Sequence, residues 1–151
     1  MAKLFNSTFE NELRIGILLD VFDSPQNVDM LYAADFITAY GKTFGIAETD
    51  LNGDNQFKYS EFTIRRGLVQ KALKELVLDG LVIPEHLNNG IFYRISPAGK
   101  EYFASLESPY SKEYRTVATK VTQMVNNKSE RTVIAAINKM SAQSARKGTR
   151  R

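Results

Sequence analysis

The chain of 151 residues contains no cysteine. This absence excludes disulfides, thiolate metal sites and a cysteine nucleophile, and it is typical of a protein in a reducing compartment. The first residues, MAKLFNSTFENELR, lack the apolar run of a secretory signal. No stretch approaches the ~20 consecutive apolar residues that cross a bilayer. We therefore expect a soluble cytoplasmic protein that forms one domain, or one domain with a helical extension.

The residues that build catalytic and metal sites are also scarce. His86 is the only histidine, and a lone histidine in a predicted hairpin is usually a solvated residue rather than a base or a ligand. With one histidine, no Ser-His-Asp arrangement stands out. The chain has no phosphate loop of the GxxxxGK[ST] kind, so nucleotide chemistry would belong to a partner. We expect neither enzymatic activity nor a cofactor.

Positive charge is unevenly placed. The net charge is +3, but the last eleven residues hold four of the 20 basic residues and no acidic one: Arg146, Lys147, Arg150 and Arg151. Residues 1–140 therefore carry 16 basic and 17 acidic residues, a net charge of −1. Residues 141–151 are predicted to be a basic disordered tail, most often a solvated end, and a weak phosphate-binding arm is the alternative.

Hydrophobic periodicity predicts a mostly helical fold. Phe9, Leu13, Ile17 and Val21 recur every four residues and predict a first helix over 8–22, which Asp23-Ser24-Pro25 ends. A second helix is predicted over 28–40. A third helix is predicted from Ser60, as its N-cap, to Asp79. The polar segment 41–59 between them has no clear period.

Two short apolar segments predict a hairpin after the third helix. LVIPEHL and IFYRI are joined by Asn88-Asn89-Gly90, and Asn-Gly is a strong signal for a tight turn. Ser96 and Pro97 then suit the start of another helix. A helix, a hairpin and a helix in this order predict a winged helix-turn-helix over 1–107 with a two-stranded wing. Helices over 108–140 form its C-terminal extension.

The third helix is a candidate surface for DNA. Its polar face, with one arginine of the wing, would contact phosphates or base edges through Arg65, Arg66, Gln70, Lys71, Lys74 and Arg94. Two observations weigh against this reading. About 19 residues separate the second and third helices, far more than in a helix-turn-helix, and residues 1–140 carry no excess positive charge. A solvated charged face is the alternative.

The C-terminal helices carry a second candidate surface. Apolar and aromatic residues recur there at the spacing of a helix–helix seam: Tyr110, Tyr114, Val117 and Val121 in one helix, and Ile134 and Ile137 in the last. Base stacking on the two tyrosines is a further alternative. The seam predicts docking against another helix, which belongs either to a partner or to the protein's own core.

One acidic segment, DLNGDNQFKYSE, resembles a calcium-binding EF-hand loop. Asp50, Asn52, Asp54 and Glu61 fall on ligand positions. The loop has Asn55 where a glycine is usual, glycine-rich sequence precedes it instead of a helix, and it has no second copy. A polar turn that leads into the third helix is the preferred interpretation.

Several segments together resemble one protein family. These are LFNSTFENELRIGILLD, LYAADFI, RRGLVQKALKELVLDGLV, YRISPAG and SLESPYSKEYRTVA, from about Leu4 to Val125. They resemble the middle component, in particular its second class, of bacterial ABC three-component systems, which are similar to Lamassu-type anti-phage defence.

The resemblance implies a non-catalytic winged-helix accessory subunit. Its partners would be an SMC-like ATPase and an effector, often a nuclease, and it would help couple nucleic-acid sensing to that effector. DNA would be contacted through the complex, and no membrane is involved. A sequence-specific transcriptional regulator is the alternative function.

Overall fold

The computed structural model describes residues 7–51 and 58–149. This part of the chain forms six helices and one two-stranded sheet. The elements, in chain order, are α1 (Thr8–Phe22), α2 (Val28–Ala39), α3 (Lys58–Leu78), β1 (Val82–Leu87), β2 (Gly90–Ile95), α4 (Pro97–Ala104), α5 (Pro109–Val125) and α6 (Glu130–Thr149). The mostly helical winged-helix arrangement predicted from the sequence is confirmed.

Polar side chains cap five of the helices. Each capping side chain accepts a hydrogen bond from the backbone N–H three residues later, at 2.9 to 3.2 Å, and the caps are Ser7, Asn27, Ser96, Ser108 and Ser129. These bonds satisfy donors that the first turn of a helix leaves free. The expected starts at Ser96 and Ser108 are confirmed. Ser60, by contrast, was expected to cap α3, which instead begins two residues earlier at Lys58.

The wing pairs as the sequence predicts, with one addition. β1 and β2 are antiparallel, with Val82 opposite Ile95 and Leu87 opposite Gly90. Gly90 has a φ of 128°, a conformation that favours glycine. Gln26, between α1 and α2, also exchanges two backbone hydrogen bonds with Tyr93, at 2.9 and 2.8 Å. This bridge fastens the wing to the beginning of α2.

The core is built between α1, α2 and α3, and aromatic rings fill its centre. The ring of Phe36 lies 4.8 Å from that of Phe62 and 5.1 Å from that of Tyr40, measured between centroids. Phe44 and Tyr59 contact the same ring at 6.0 Å. The beginning of the connection after α2 and the first turn of α3 therefore both pack on α2.

The C-terminal helices share this core. Helix α5 packs on α1 and α2, and α6 packs on α2. The last helix is longer than expected, because it continues past Met140 to Thr149. Residues 141–149 are therefore helical where a disordered tail was predicted, while 150 and 151 lie outside the described residues. Alanine, glutamine, arginine and lysine dominate this stretch, and all of them favour helix.

Two glycines allow α4 to approach its neighbours closely. A Cβ atom at Gly99 would lie 2.1 Å from the carbonyl oxygen of Leu81, and one at Gly16 would lie 2.0 Å from Cζ of Phe103. Both distances are far below van der Waals contact. Because Gly16 has no side chain, the Phe103 ring packs directly on α1. Because Gly99 has no side chain, the start of α4 packs against the backbone of Leu81, the residue before β1.

Candidate functional site

The outer face of α3 carries part of the residue set that was predicted to contact DNA. Gln70, Lys71 and Lys74 are exposed on it. Neither lysine forms an ion pair with any residue in the described ranges. Three of the six side chains predicted to contact DNA are therefore accessible and uncommitted.

Arg65, the first residue of that predicted set, is not on the surface. Its side chain is buried, and it forms ion pairs with Asp35 and, at 2.6 Å, with Glu61 one turn earlier in α3. The prediction that Arg65 contacts DNA is therefore wrong. Its guanidinium lies in the core, where two carboxylates balance its charge.

Asp35 lies at the centre of this buried network. Its carboxylate accepts hydrogen bonds from Nε of Arg14 at 3.1 Å, from the hydroxyl of Tyr114 at 2.7 Å, and from Arg65. Glu61 accepts hydrogen bonds from Arg65 at 2.6 Å and from the hydroxyl of Tyr40 at 2.8 Å. Two arginines thus face two carboxylates, and the network joins α1, α2, α3 and α5.

Burial and neighbouring charges shift the pKa values of Asp35 and Tyr114 within this network. Burial alone would raise the pKa of Asp35, but the charges of Arg14 and Arg65 hold it below its ordinary value. Burial, followed by the charge of Asp35, raises the pKa of the Tyr114 hydroxyl well above its ordinary value. Asp35 is therefore ionised and Tyr114 neutral at neutral pH, which is the state that their hydrogen bond requires.

The remaining two arginines of the predicted DNA face are exposed but engaged. Arg66 donates from Nε to Asp29 at 2.8 Å, and this pair ties α3 to the first turn of α2. Arg94 pairs with Glu85 across the wing. A phosphate would have to displace a carboxylate from each arginine, which weakens both as contacts to nucleic acid.

Large apolar side chains also remain exposed on α3 and on the wing. Ile64 and Leu78, near the two ends of α3, are 62% and 70% exposed. Leu87 and Ile91, at the tip of the wing, are also exposed. Ile91 is exposed, whereas Val82 at the other end of the hairpin is buried. Large apolar side chains that the fold leaves exposed can be buried in a protein interface.

The seam predicted on the C-terminal helices faces inward. Tyr114, Val117, Val121 and Ile137 are buried in the protein's own core. Tyr110 and Ile134 are half-buried against the same core. Of the two readings that the spacing left open, the structure selects the intramolecular one for the four buried residues. Partner binding through them is wrong.

The acidic segment before α3 divides between described and undescribed residues. Asp50 accepts hydrogen bonds from the backbone N–H and the hydroxyl of Thr43, both at 3.2 Å. Both carboxylate oxygens of Glu61 are engaged with Arg65 and Tyr40. Asn52 and Asp54 lie outside the described residues. Within residues 7–51 and 58–149, no group of three His, Cys, Asp or Glu side chains is placed to hold a metal ion.

Sequence reasoning missed the buried network, although its signals are visible. Arg14 interrupts the apolar run LRIGILL, and Asp35 interrupts LYAADFI. A charge on the inward face of an amphipathic helix indicates a buried partner. Arg65 also lies four residues before Val69, and this helical spacing places it on the same buried face of α3.

Comparisons with known proteins identify the family. The family model described as "ABC-three component (ABC-3C) system Middle Component 2" matches residues 4–147. The match includes most of α6, which the sequence resemblance did not cover. No curated protein and no solved structure matches the chain. None of the helices in the described ranges is both long and apolar enough to span a membrane.

Proposed function

This chain belongs to the family of middle component 2 of ABC-three component systems, and on that premise we propose that it is a non-catalytic winged-helix accessory subunit. It binds an SMC-like ATPase in a Lamassu-type anti-phage system. There it couples nucleic-acid sensing to an effector subunit, of which a nuclease is one form. DNA is contacted through the complex.

The observation that carries this proposal is the composition of the outer face of α3 and the wing. One of the three arginines expected there is buried, and the other two are held by carboxylates. Large apolar side chains are exposed on α3 and on the wing. An interface that excludes water gains from apolar side chains, whereas a phosphate-binding face needs free cations. The surface therefore favours a protein partner.

Co-expression with the other components of the system tests the proposal. The wild-type chain is expected to co-purify with the ATPase subunit in a fixed ratio. Ile64→Glu and Leu78→Glu, which place charges on exposed positions of α3, should reduce recovery of the ATPase by at least tenfold. Met124→Glu is the matched control on α5, since Met124 is also an exposed apolar residue. A wild-type chain that purifies alone in this experiment would refute the proposal.

A DNA-binding regulator is the second candidate, and the exposed lysines favour it. Lys71 and Lys74, beside Gln70, are free to contact phosphates. A gel-shift titration of the isolated chain would then show tight, salt-dependent binding to one DNA site. Lys71→Ala/Lys74→Ala should weaken that binding at least tenfold and reduce its dependence on salt. Binding that is weak and equal for all sequences would exclude the regulator.

A further inference from the structure

A groove lies on the opposite end of α3 from the connection that leads into it. It is bounded by the start of α1, the end of α3 and α4, and its volume is about 310 Å³. Leu13, Leu76 and Phe103 contribute apolar surface to it. The rings of Phe9 and Tyr102 also line it, although both are largely exposed. Phe9 was expected in the core stripe of α1 but is 64% exposed, so the groove carries apolar surface that the fold leaves uncovered.

Three carboxylates line the same groove. Glu12 comes from α1, Glu75 from the last turn of α3, and Asp79 from the residue after that helix. None of them forms an ion pair with a residue in the described ranges, and no basic residue is among those that line the groove. Burial, followed by the charges of Asp79 and Glu75, raises the pKa of Glu12. The three side chains thus repel one another in a partly buried space.

The backbone of α3 adds to this negative potential. The C-terminal end of a helix carries a partial negative charge, and cations near it are stabilising. The last turn of α3 contains no basic residue and instead contains Glu75, with Asp79 following at once. This concentration of negative charge lowers the stability of the isolated chain at the end of α3. A cation from a binding partner would be stabilised there.

The groove also limits which cation fits. Among the described residues no group of acidic side chains is placed to hold a metal ion, so a compact ion does not match the spread of carboxylates. A guanidinium is planar, bonds two carboxylate oxygens at once, and stacks on aromatic rings. Its aliphatic stem would lie along apolar surface. Nucleic acids and anionic membranes are repelled by the same charges.

We propose that this groove docks an arginine carried by an apolar segment of a protein partner, with the guanidinium among Glu12, Glu75 and Asp79 and the flanking apolar side chains against Phe9 and Tyr102. The partner is taken to be the ATPase subunit of the same system, so this assignment of the occupant rests on the proposed function. The groove, at the C-terminal end of α3, gives the partner a point of attachment in addition to the exposed residues of α3 and the wing tip.

The first test uses a pair of peptides with the full-length chain. Acetylated, amidated Ala-Leu-Arg-Leu-Ala is titrated into the ¹⁵N-labelled protein, and the same peptide with citrulline in place of arginine is the control. The arginine peptide should shift the backbone amide signals of Phe9, Glu75, Asp79 and Tyr102. The citrulline peptide, which lacks the charge, should bind at least tenfold more weakly. Equal shifts from both peptides, or no shift at the groove, would overturn the inference.

A variant of the groove separates binding from folding. Glu12→Gln/Glu75→Gln/Asp79→Asn should lose the arginine-dependent shifts, and its melting temperature should equal or exceed that of the wild type because three repelling charges are gone. A structural role for these carboxylates would instead lower the melting temperature. A charge-matched control replaces three exposed carboxylates elsewhere that have no ion pair in the described ranges: Glu48→Gln/Glu107→Gln/Glu113→Gln.

Co-purification with the ATPase subunit distinguishes the two proposals. If the wild type and the groove variant recover the ATPase equally, the accessory function stands and the groove inference is overturned. If the groove variant alone loses at least tenfold, both stand. If the wild type recovers no partner, the accessory function fails and the peptide titration alone decides about the groove. Self-association that requires Glu75 and residues 141–151 would assign the groove to a second copy of this chain and overturn the inference.

Discussion

Replacement of Asp35 tests whether the buried network holds the helices together. In Asp35→Asn the side chain keeps its volume but loses its charge, so Arg14 and Arg65 share the core with Glu61 as the remaining carboxylate of the network. Breaking a buried ion pair from one side costs about 3–5 kcal/mol. Because a domain is stable by about 5–15 kcal/mol, the substitution should remove about a fifth or more of the free energy of unfolding.

The assay is urea unfolding followed by circular dichroism, with Asp29→Asn as the matched control. Asp29 pairs with Arg66 on the surface, and an exposed pair contributes about 0–1 kcal/mol. Arg14→Met/Asp35→Leu should be less destabilised than Asp35→Asn, since it removes one cation together with the anion. If Asp35→Asn and Asp29→Asn unfold at the same urea concentration, the network does not stabilise the fold and the reasoning fails.

The pH dependence of the network follows from the direction of the shift. The pKa of Asp35 is lowered in the folded protein, so its contribution to stability is complete above the ordinary carboxyl pKa of about 3.9. It is lost as the pH falls below that value and through the folded pKa. The difference in the free energy of unfolding between the wild type and Asp35→Asn should therefore shrink in acid. A difference that stays constant down to about pH 2 would show that Asp35 is not ionised in the folded protein.

Three further substitutions carry predictions of their own. Tyr114→Phe removes a hydrogen bond to a buried carboxylate and should cost about 1.5–3 kcal/mol at pH 7. The raised pKa of Tyr114 makes this contribution decline above about pH 10, as tyrosine ionises in the unfolded chain, so urea unfolding at pH 7 and 10.5 should show the difference narrowing. Gly99→Ala should cost at least about 1–3 kcal/mol by thermal unfolding, because its Cβ meets the backbone oxygen of Leu81. Gly67→Ala is the opposite case, since nothing lies within 4 Å of its Cβ, and it should stabilise α3 by about 0.5–1 kcal/mol.

Each of these three has an outcome that contradicts it. A difference between wild type and Tyr114→Phe that widens above pH 10 would mean that the hydroxyl ionises easily in the folded state. A Gly99→Ala variant as stable as the wild type would show that α4 is not seated against Leu81. A destabilised Gly67→Ala variant would show that the outer face of α3 is not open.

Much of the fold was predictable because local signals agree with it. The first helix has the predicted bounds 8–22, since its apolar period and the terminator Asp23-Ser24-Pro25 lie next to each other in sequence. The hairpin follows from Asn-Gly for the same reason. The pairing of Gln26 with Tyr93 was not predictable, because a single-residue bridge has no period and joins positions far apart in the chain.

The position of Arg65 shows where local reasoning stops. The helical period places it on the buried face, at four residues before Val69, while its charge suggests a solvated position. The decision depends on Asp35, which is 30 residues away and comes close only when α2 packs against α3. The position of Asp35 within an apolar run indicates that its charge has a buried partner. A single sequence does not show which distant cation is that partner.

The buried carboxylates and the groove carboxylates differ in whether the fold pairs them with cations. This difference favours a binding site on the surface of the fold rather than in its core. Asp35 is buried, and the fold brings two arginines to it. Glu12, Glu75 and Asp79 meet one another at a helix C-terminus, and the described residues bring them no cation. The fold therefore neutralises the charge of Asp35 in its interior. At the groove it places three like charges beside the exposed Phe9, and their repulsion lowers the stability of the fold. In the proposed docking, the partner's arginine offsets this loss, because a ligand that binds only the folded state stabilises it.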